Sequence, residues 1–432
     1  MATETRAETS DLPLPHATRV LQFFPVTCLM VAPYVLFIIP QAVSNGNPRS
    51  GFLIGLVLLG AAGAGLVEGM FLFLRPPYRQ PRDRVPANAG YPRIMRVAVP
   101  VAVVSIVADV ARAAAGGGSI ESQVTGQQTA STVAVVLAPF GGWKFVALAL
   151  FASACLGGYA SRRNLYLWAA AMIGAQVVIA SFTAITANLI SFCTFVAVAC
   201  LMLGLTRARL VAVFAVILLA AWPTIFAIRN QIRADKGIAV SAEMSASGRI
   251  RLDQQISAVA AYDVPADLPG LIGPGGIVRY GLVPRALDPG RPVLATGGLI
   301  SDYVGGSRSN SYNFLPLGTL YFLLGPYGVI AFYGLCAFGL VLLLRTGGGP
   351  GPGRLMVLFT ALAGPLSWTS SYPESVVGYL QSLVGLVPIM LLLRRFGRAP
   401  RFSPNRGETP AMRAPSIVTG SAANGVVTRT SP

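Results

Sequence analysis

Histidine and lysine are nearly absent from this chain, and acidic residues are few: one His and 16 Asp plus Glu in 432 residues, with Lys144 and Lys236 the only lysines. The one histidine, His16, lies in a polar N-terminal stretch, which excludes a histidine base anywhere else. Cysteine is scarce and badly placed for metals or bridges. Cys28, Cys155, Cys193, Cys200 and Cys336 all fall within apolar runs, so neither a disulfide framework nor a zinc or haem site is expected. There is no Walker loop, no glycine-rich dinucleotide fingerprint and no polar segment that makes a nucleotide-binding domain. The chain is therefore not an ATP-driven pump by itself, and no cofactor or metal is expected. It also lacks an internal repeat or inverted hydropathy symmetry, which argues against a secondary transporter.

The shortage of charge sets the class. Charged residues make up 11% of the chain and hydrophobic ones 54%, whereas soluble domains carry about 25% charge. Mean hydropathy is +0.63. Apolar runs of roughly 17 to 25 residues recur, long enough for a hydrocarbon core of about 30 Å. The reading is an all-α integral membrane protein of about ten transmembrane helices. Spans are expected near Val20–Ala42, Gly51–Leu74, Ile94–Ala113, Gly142–Ala160, Leu165–Phe182, Ala187–Leu205, Arg209–Ile228, Leu317–Leu344, Arg354–Thr369 and Ser375–Leu393. Residues 1–19 and 398–432, rich in Pro, Ser, Thr, Gly and Arg, are read as disordered tails.

A net charge of +17 points to nucleic acid in a soluble protein, but here its distribution assigns it to the membrane. The connections on the side of the termini carry Arg75, Arg79, Arg82, Arg84, Arg93, Arg96, Arg162, Arg163, Arg207 and Arg345, and the tail adds Arg394, Arg395, Arg398 and Arg401. Opposite short connections hold little positive charge, Arg49 excepted. The positive-inside rule puts both termini in the cytoplasm and assigns these arginines to anionic lipid; no nucleic-acid partner is expected.

One stretch breaks the pattern. Residues 229–313, between spans 20–228 and 314–397, carry nine cationic and seven acidic side chains on the expected outer face. Positive charge there requires a reason other than topology, and an anionic ligand supplies one. Arg229 to Arg233 continue a span outward. Ser247 is placed to cap a short helix, on which Ile250, Leu252, Ile256 and Val259 form an apolar stripe expected to lie along the membrane surface. Arg249 and Asp253, four apart, pair with each other or not; Arg251 has no such local partner and is the better ligand candidate. Tyr262 to Pro292 is so rich in proline and glycine that it reads as an irregular lid, with Arg279, Arg285 and Arg291 recurring every six residues. Arg308 follows. Guanidinium forks suit diphosphate, and several converge on one pyrophosphate without a metal; anionic headgroups are the competing ligand.

Two further regions carry expectations. Gly116 to Thr129 is polar, and the apolar run Ala130–Phe140 is too short to span, so it is read as re-entrant or interfacial. Within spans, Glu68 is expected to snorkel, and Asp109 and Arg112, three apart, to pair internally.

The segment Leu317-Gly318-Thr319-Leu320-Tyr321-Phe322-Leu323-Leu324-Gly325-Pro326-Tyr327-Gly328, following the loop, resembles the O-antigen polymerase-type family of bacterial surface polysaccharides, related to O-antigen ligases. Arg251-Leu252-Asp253 is similar to that family's outer-loop helix. Thr319 stands where an acidic residue is common, and Pro326 interrupts an aromatic-glycine pair. The resemblance implies a GT-C-like multi-span glycosyltransferase in the bacterial plasma membrane. It would polymerise polyprenyl-diphosphate-linked oligosaccharide repeats on the outer face by metal-independent inverting transfer, alongside a flippase and a chain-length regulator. Charge developing on the leaving diphosphate calls for arginines, and the acceptor hydroxyl for a carboxylate. Arg251, Asp253, Arg279 and Glu374 are the expected catalytic residues, with Glu243 and Asp302 also on that face. Arg249, Arg285, Arg291 and Arg308 are the expected diphosphate ligands. Ligase-like transfer to another acceptor, a transporter or flippase of an anionic or lipid-linked substrate, and an assembly scaffold are the alternatives.

Overall fold

The computed structural model describes residues 20–21, 23–74, 90–118, 131–235, 251–268, 270–283, 287–288, 294, 296–304, 314–345, 351–369 and 371–398. The described residues contain helices and turns and no strand. In chain order the helices are α1 (Thr27–Ser44), α2 (Ser50–Leu74), α3 (Met95–Ala114), α4 (Thr132–Leu137), α5 (Trp143–Leu156), α6 (Arg162–Thr183), α7 (Ala187–Met202), α8 (Ala208–Asp235), α9 (Leu252–Ser257), α10 (Pro274–Leu282), α11 (Thr296–Tyr303), α12 (Leu315–Arg345), α13 (Pro352–Ala363) and α14 (Glu374–Leu392). Among them are 8 spans long and apolar enough to cross a membrane, one formed by α4 and α5 together as Thr132–Leu156. The protein is thus an all-helical, multi-span membrane protein. Of the ten expected spans, Ala187–Met202 and Pro352–Ala363 form apolar helices shorter than the rest.

Buried polar groups explain several local forms. Proline at 25, just before α1, and at 33 within it removes backbone donors, and the helix winds as π-helix over Thr27–Val31 and Tyr34–Ile38. Glu68 of α2 is fully buried against that first turn, accepting from Val26 N and Thr27 Oγ1, each at 2.6 Å. The expectation that Glu68 snorkels is therefore corrected: donors at the helix start give its carboxylate partners without reaching water.

Glycine sets the closest helix contact. On α2, a Cβ at Gly63 would collide with the backbone of Ile330, and one at Gly60 would meet the Tyr333 ring at 3.2 Å. Small residues let these two backbones approach, as in other membrane helix pairs. A Cβ at Gly60 would also meet Leu317 at 3.6 Å. In a straight helix Leu317 and Tyr333 stand about 24 Å apart, too far to touch one residue. They do so because α12 breaks at Gly325 (φ 68, ψ −173), ahead of Pro326. Pro326 has no N–H to give Phe322 O, and that carbonyl accepts instead from Ala266 N at 2.8 Å.

That hydrogen bond ties the segment between α8 and α12 to the bundle. Val259, Ala266, Leu268 and Ile300 pack with Phe314, Phe322 and Leu323. Ile256 and Val259 do form one apolar face, but it docks on protein: a Cβ at Gly318 would meet Ile256 at 3.1 Å. This corrects the expected surface-lying helix: the missing side chain at Gly318 leaves the seat that Ile256 fills. Pro274–Leu282, expected to be irregular, is α-helical, with Gly273 as N-cap and Pro274 where a missing N–H costs nothing. The run expected to be re-entrant near Ala130–Phe140 continues through a 3-10 turn, Ala138–Gly142, into α5. The tails 1–19 and 399–432, and most of Gly116 to Thr129, lie outside the described residues.

Candidate functional site

Arg251 sits just before α9, as its N-cap. From there its side chain folds forward onto Asp253, Nε to Oδ1 at 3.0 Å and Nη2 to Oδ2 at 3.4 Å. The expectation that Arg251 lacks a local partner is thereby corrected. Four-residue spacing governs pairs inside a helix, whereas a residue at the cap reaches two positions on. Asp253 is 0% exposed. It also accepts from Asn47 Nδ2 at 3.1 Å, and its own N–H donates to Gln41 Oε1 at 3.3 Å. Burial pushes the Asp253 carboxyl up, but the hydrogen bonds from Arg251, Asn47 and Gln254 N–H, with the Arg251 charge, outweigh it and hold the pKa below the ordinary aspartate range.

The α1–α2 turn thus grips α9. Arg49 adds Nη1 to Ser257 O at 3.0 Å, and Asn47 donates to Ser257 Oγ at 3.3 Å. Gln41, Asn47 and Arg49 were not among the expected site residues. Arg49 alone gave a signal, as the one arginine on a short connection otherwise poor in positive charge. Asp253 is fully buried, and both of its oxygens already accept hydrogen bonds from Arg251 or Asn47. Its geometry suits orienting Arg251, which keeps three of its five N–H groups free of Asp253 and is 28% exposed.

The other described candidates stand apart. Arg279, 62% exposed on α10, pairs with Asp288 Oδ1 at 3.0 Å. Its helix is tied to α14 by Gln381 Nε2 donating to Tyr280 O at 2.8 Å. Glu374 opens α14, and its Oε1 accepts from Thr296 N at 2.6 Å, capping α11. Its Oε2 is buried and has no partner. Asp302 lies on α11. Glu243, Arg249, Arg285, Arg291 and Arg308 lie outside the described residues.

A second polar cluster lies where α3, α5, α6 and α7 meet. Lys144 Nζ is 2.8 Å from Asp109 Oδ2, to which Gln176 Nε2 also donates at 3.5 Å. The expected Asp109–Arg112 pair is replaced by this one. Arg112, in the last turn of α3, runs along the chain's exit, where a Cβ at Gly117 would meet its Cγ at 2.6 Å, while Lys144 enters from the facing helix. Only contact across the bundle brings Lys144 to Asp109, and sequence spacing gives no sign of it.

Comparison of the chain with family models, curated proteins and solved structures finds no match in any of the three.

Proposed function

We propose that this protein is a glycosyltransferase of the bacterial plasma membrane, with about ten spans and both termini in the cytoplasm. It lengthens a polyprenyl-diphosphate-linked oligosaccharide on the outer face. The observation that carries this reading is a guanidinium in a fixed position. Arg251 is oriented by a buried carboxylate that is itself anchored to the α1–α2 turn, and it keeps donors to spare. Such a fork matches a diphosphate and needs no reorganisation as charge develops there.

In this mechanism the acceptor hydroxyl oxygen bonds to the anomeric carbon from the face opposite the diphosphate. The bond to the diphosphate oxygen breaks, the lipid diphosphate leaves with the electron pair, and the configuration inverts. Arg251 stabilises the leaving group. Glu374, whose buried Oε2 has no protein partner, is the carboxylate with an oxygen left for the hydroxyl proton once the acceptor displaces what covers it; Asp253, with both oxygens engaged, orients Arg251 and exchanges no proton. Arg279 and the arginines at 249, 285, 291 and 308 are proposed as further ligands of the diphosphate; the last four lie outside the described residues.

The test is conversion of a polyprenyl-diphosphate oligosaccharide by purified protein in nanodiscs, with product length read on a gel. A ladder of longer glycans is expected from the native protein, and Arg251→Ala loses it. A single transfer to a different acceptor replaces polymerase by ligase. Substrate that binds without conversion ends the enzyme reading.

A further inference from the structure

The cluster at α3, α5, α6 and α7 surrounds a cavity of ≈ 90 Å³ that the proposed transfer does not use. Its walls include Asp109, Arg112, Lys144, Gln176, Thr183 and Asn188. One water needs roughly 10–15 Å³, so the space holds several waters or one tetrahedral anion. Its charges do not cancel. Asp109 is matched by Lys144 at 2.8 Å, and Arg112 makes no ion pair among the described residues. Among the described residues, two cations therefore face one carboxylate.

The donors are also in excess. Lys144 spends one of its three N–H groups on Asp109, and Arg112 carries five. Asn188 adds an amide from the first turn of α7, where the helix end favours negative charge. On the acceptor side, Asp109 is the only carboxylate lining the cavity among the described residues. Arg112 lies in the last turn of α3 and Lys144 in the first turn of α5, which sets the cavity near the ends of its spans. That is the depth of lipid phosphates in a bilayer.

We infer that this cavity is a binding site for a phosphate group, with Arg112 as its principal ligand and the Asp109–Lys144 pair as its fixed wall. The site is independent of the transfer reaction proposed above. Its ligand is either the phosphate of an anionic phospholipid or free phosphate, and the chemistry of recognition is shared.

Full-length protein tests the inference with two probes. Native mass spectrometry after extraction from phosphatidylglycerol-containing nanodiscs reports retained lipid, and calorimetry in detergent reports inorganic phosphate. Arg112→Gln keeps every pair described and should fold; its melting profile checks that it does. Stoichiometric retained lipid, weakened roughly tenfold or more in Arg112→Gln, identifies a headgroup site. Saturable inorganic phosphate binding with the same loss identifies a free-phosphate site. Arg162→Gln, at the far end of α6, leaves either signal unchanged. The inference is overturned if neither probe binds, if Arg112→Gln binds as the native protein does, or if Arg162→Gln weakens binding equally.

Discussion

Alanine at position 253 removes the acceptor on which three donor atoms converge: Arg251 Nε, Arg251 Nη2 and Asn47 Nδ2. Breaking a buried ion pair by deleting one partner costs about 3–5 kcal/mol. Arg251, 28% exposed, recovers some hydration, and Asn47 keeps Ser257 Oγ at 3.3 Å, so the lower end, about 3 kcal/mol, applies. Asparagine keeps one of the two acceptor oxygens and loses the charge, its amide nitrogen taking the place of the other. A charged hydrogen bond contributes about 1.5–3 kcal/mol against about 0.5–1.5 for a neutral one, which sets the cost of Asp253→Asn at about 1–2 kcal/mol. The penalty falls on docking of α9 rather than on the whole bundle, because α2 and α12 keep their own contact. Hydrogen exchange is therefore the assay. A 3 kcal/mol loss raises the open population of α9 by about a hundredfold, and Asp253→Asn raises it by about tenfold. Native-like exchange at α9 in Asp253→Ala refutes the reasoning, and so does equal exchange in the two variants, which leaves no role for the acceptor that asparagine keeps.

Three shorter predictions follow from the same geometry. Gly63→Ala forces a methyl into the Ile330 backbone and should destabilise by about 1–3 kcal/mol, read as a shorter thermal half-life in detergent, whereas Gly65→Ala, with open space around it, should not. Glu374→Ala uncaps α11 at a cost of about 1–2 kcal/mol and should speed exchange of the Thr296 amide and its neighbours, while Glu374→Gln keeps the acceptor and much of the protection. Because the Asp253 pKa is lowered in the folded protein, its contribution is complete above the ordinary aspartate value of about 3.9 and fades as pH falls through the lower folded value. Protection of α9 should therefore survive acidification to about pH 4.5 and fall toward that of Asp253→Asn only under stronger acid.

The spans were legible because about eighteen apolar residues in a row have few other fates. The sites were legible only in part, and the misses share a cause. Arg251–Asp253 was hidden because helix spacing was applied to a residue that stands before the helix. The apolar face of Ile256 and Val259 was correctly read from its periodicity, but periodicity does not say whether lipid or protein covers it. Asp109 found Lys144 through tertiary contact, which no local pattern encodes. Gly325 and Pro326 were visible as an interruption in the Leu317–Gly328 segment, yet their consequence lay in Ala266, far back in the chain.

That last connection explains how a loop between spans is fixed without a disulfide. Proline at 326 strips Phe322 O of its helical donor, and in an apolar setting an unpaired carbonyl is costly. Ala266 N fills it at 2.8 Å, and Phe322 itself joins Val259 and Ile300 in one apolar cluster. The same loop is held a second time where Asn47 and Arg49 reach Asp253 and Ser257. Two anchors of different chemistry, one backbone and apolar, the other ionic, bracket the short stretch from Arg251 to Ala266. A guanidinium mounted between them is constrained in position as well as in charge. Under the function proposed above, positioning of that kind serves the stabilisation of a leaving diphosphate.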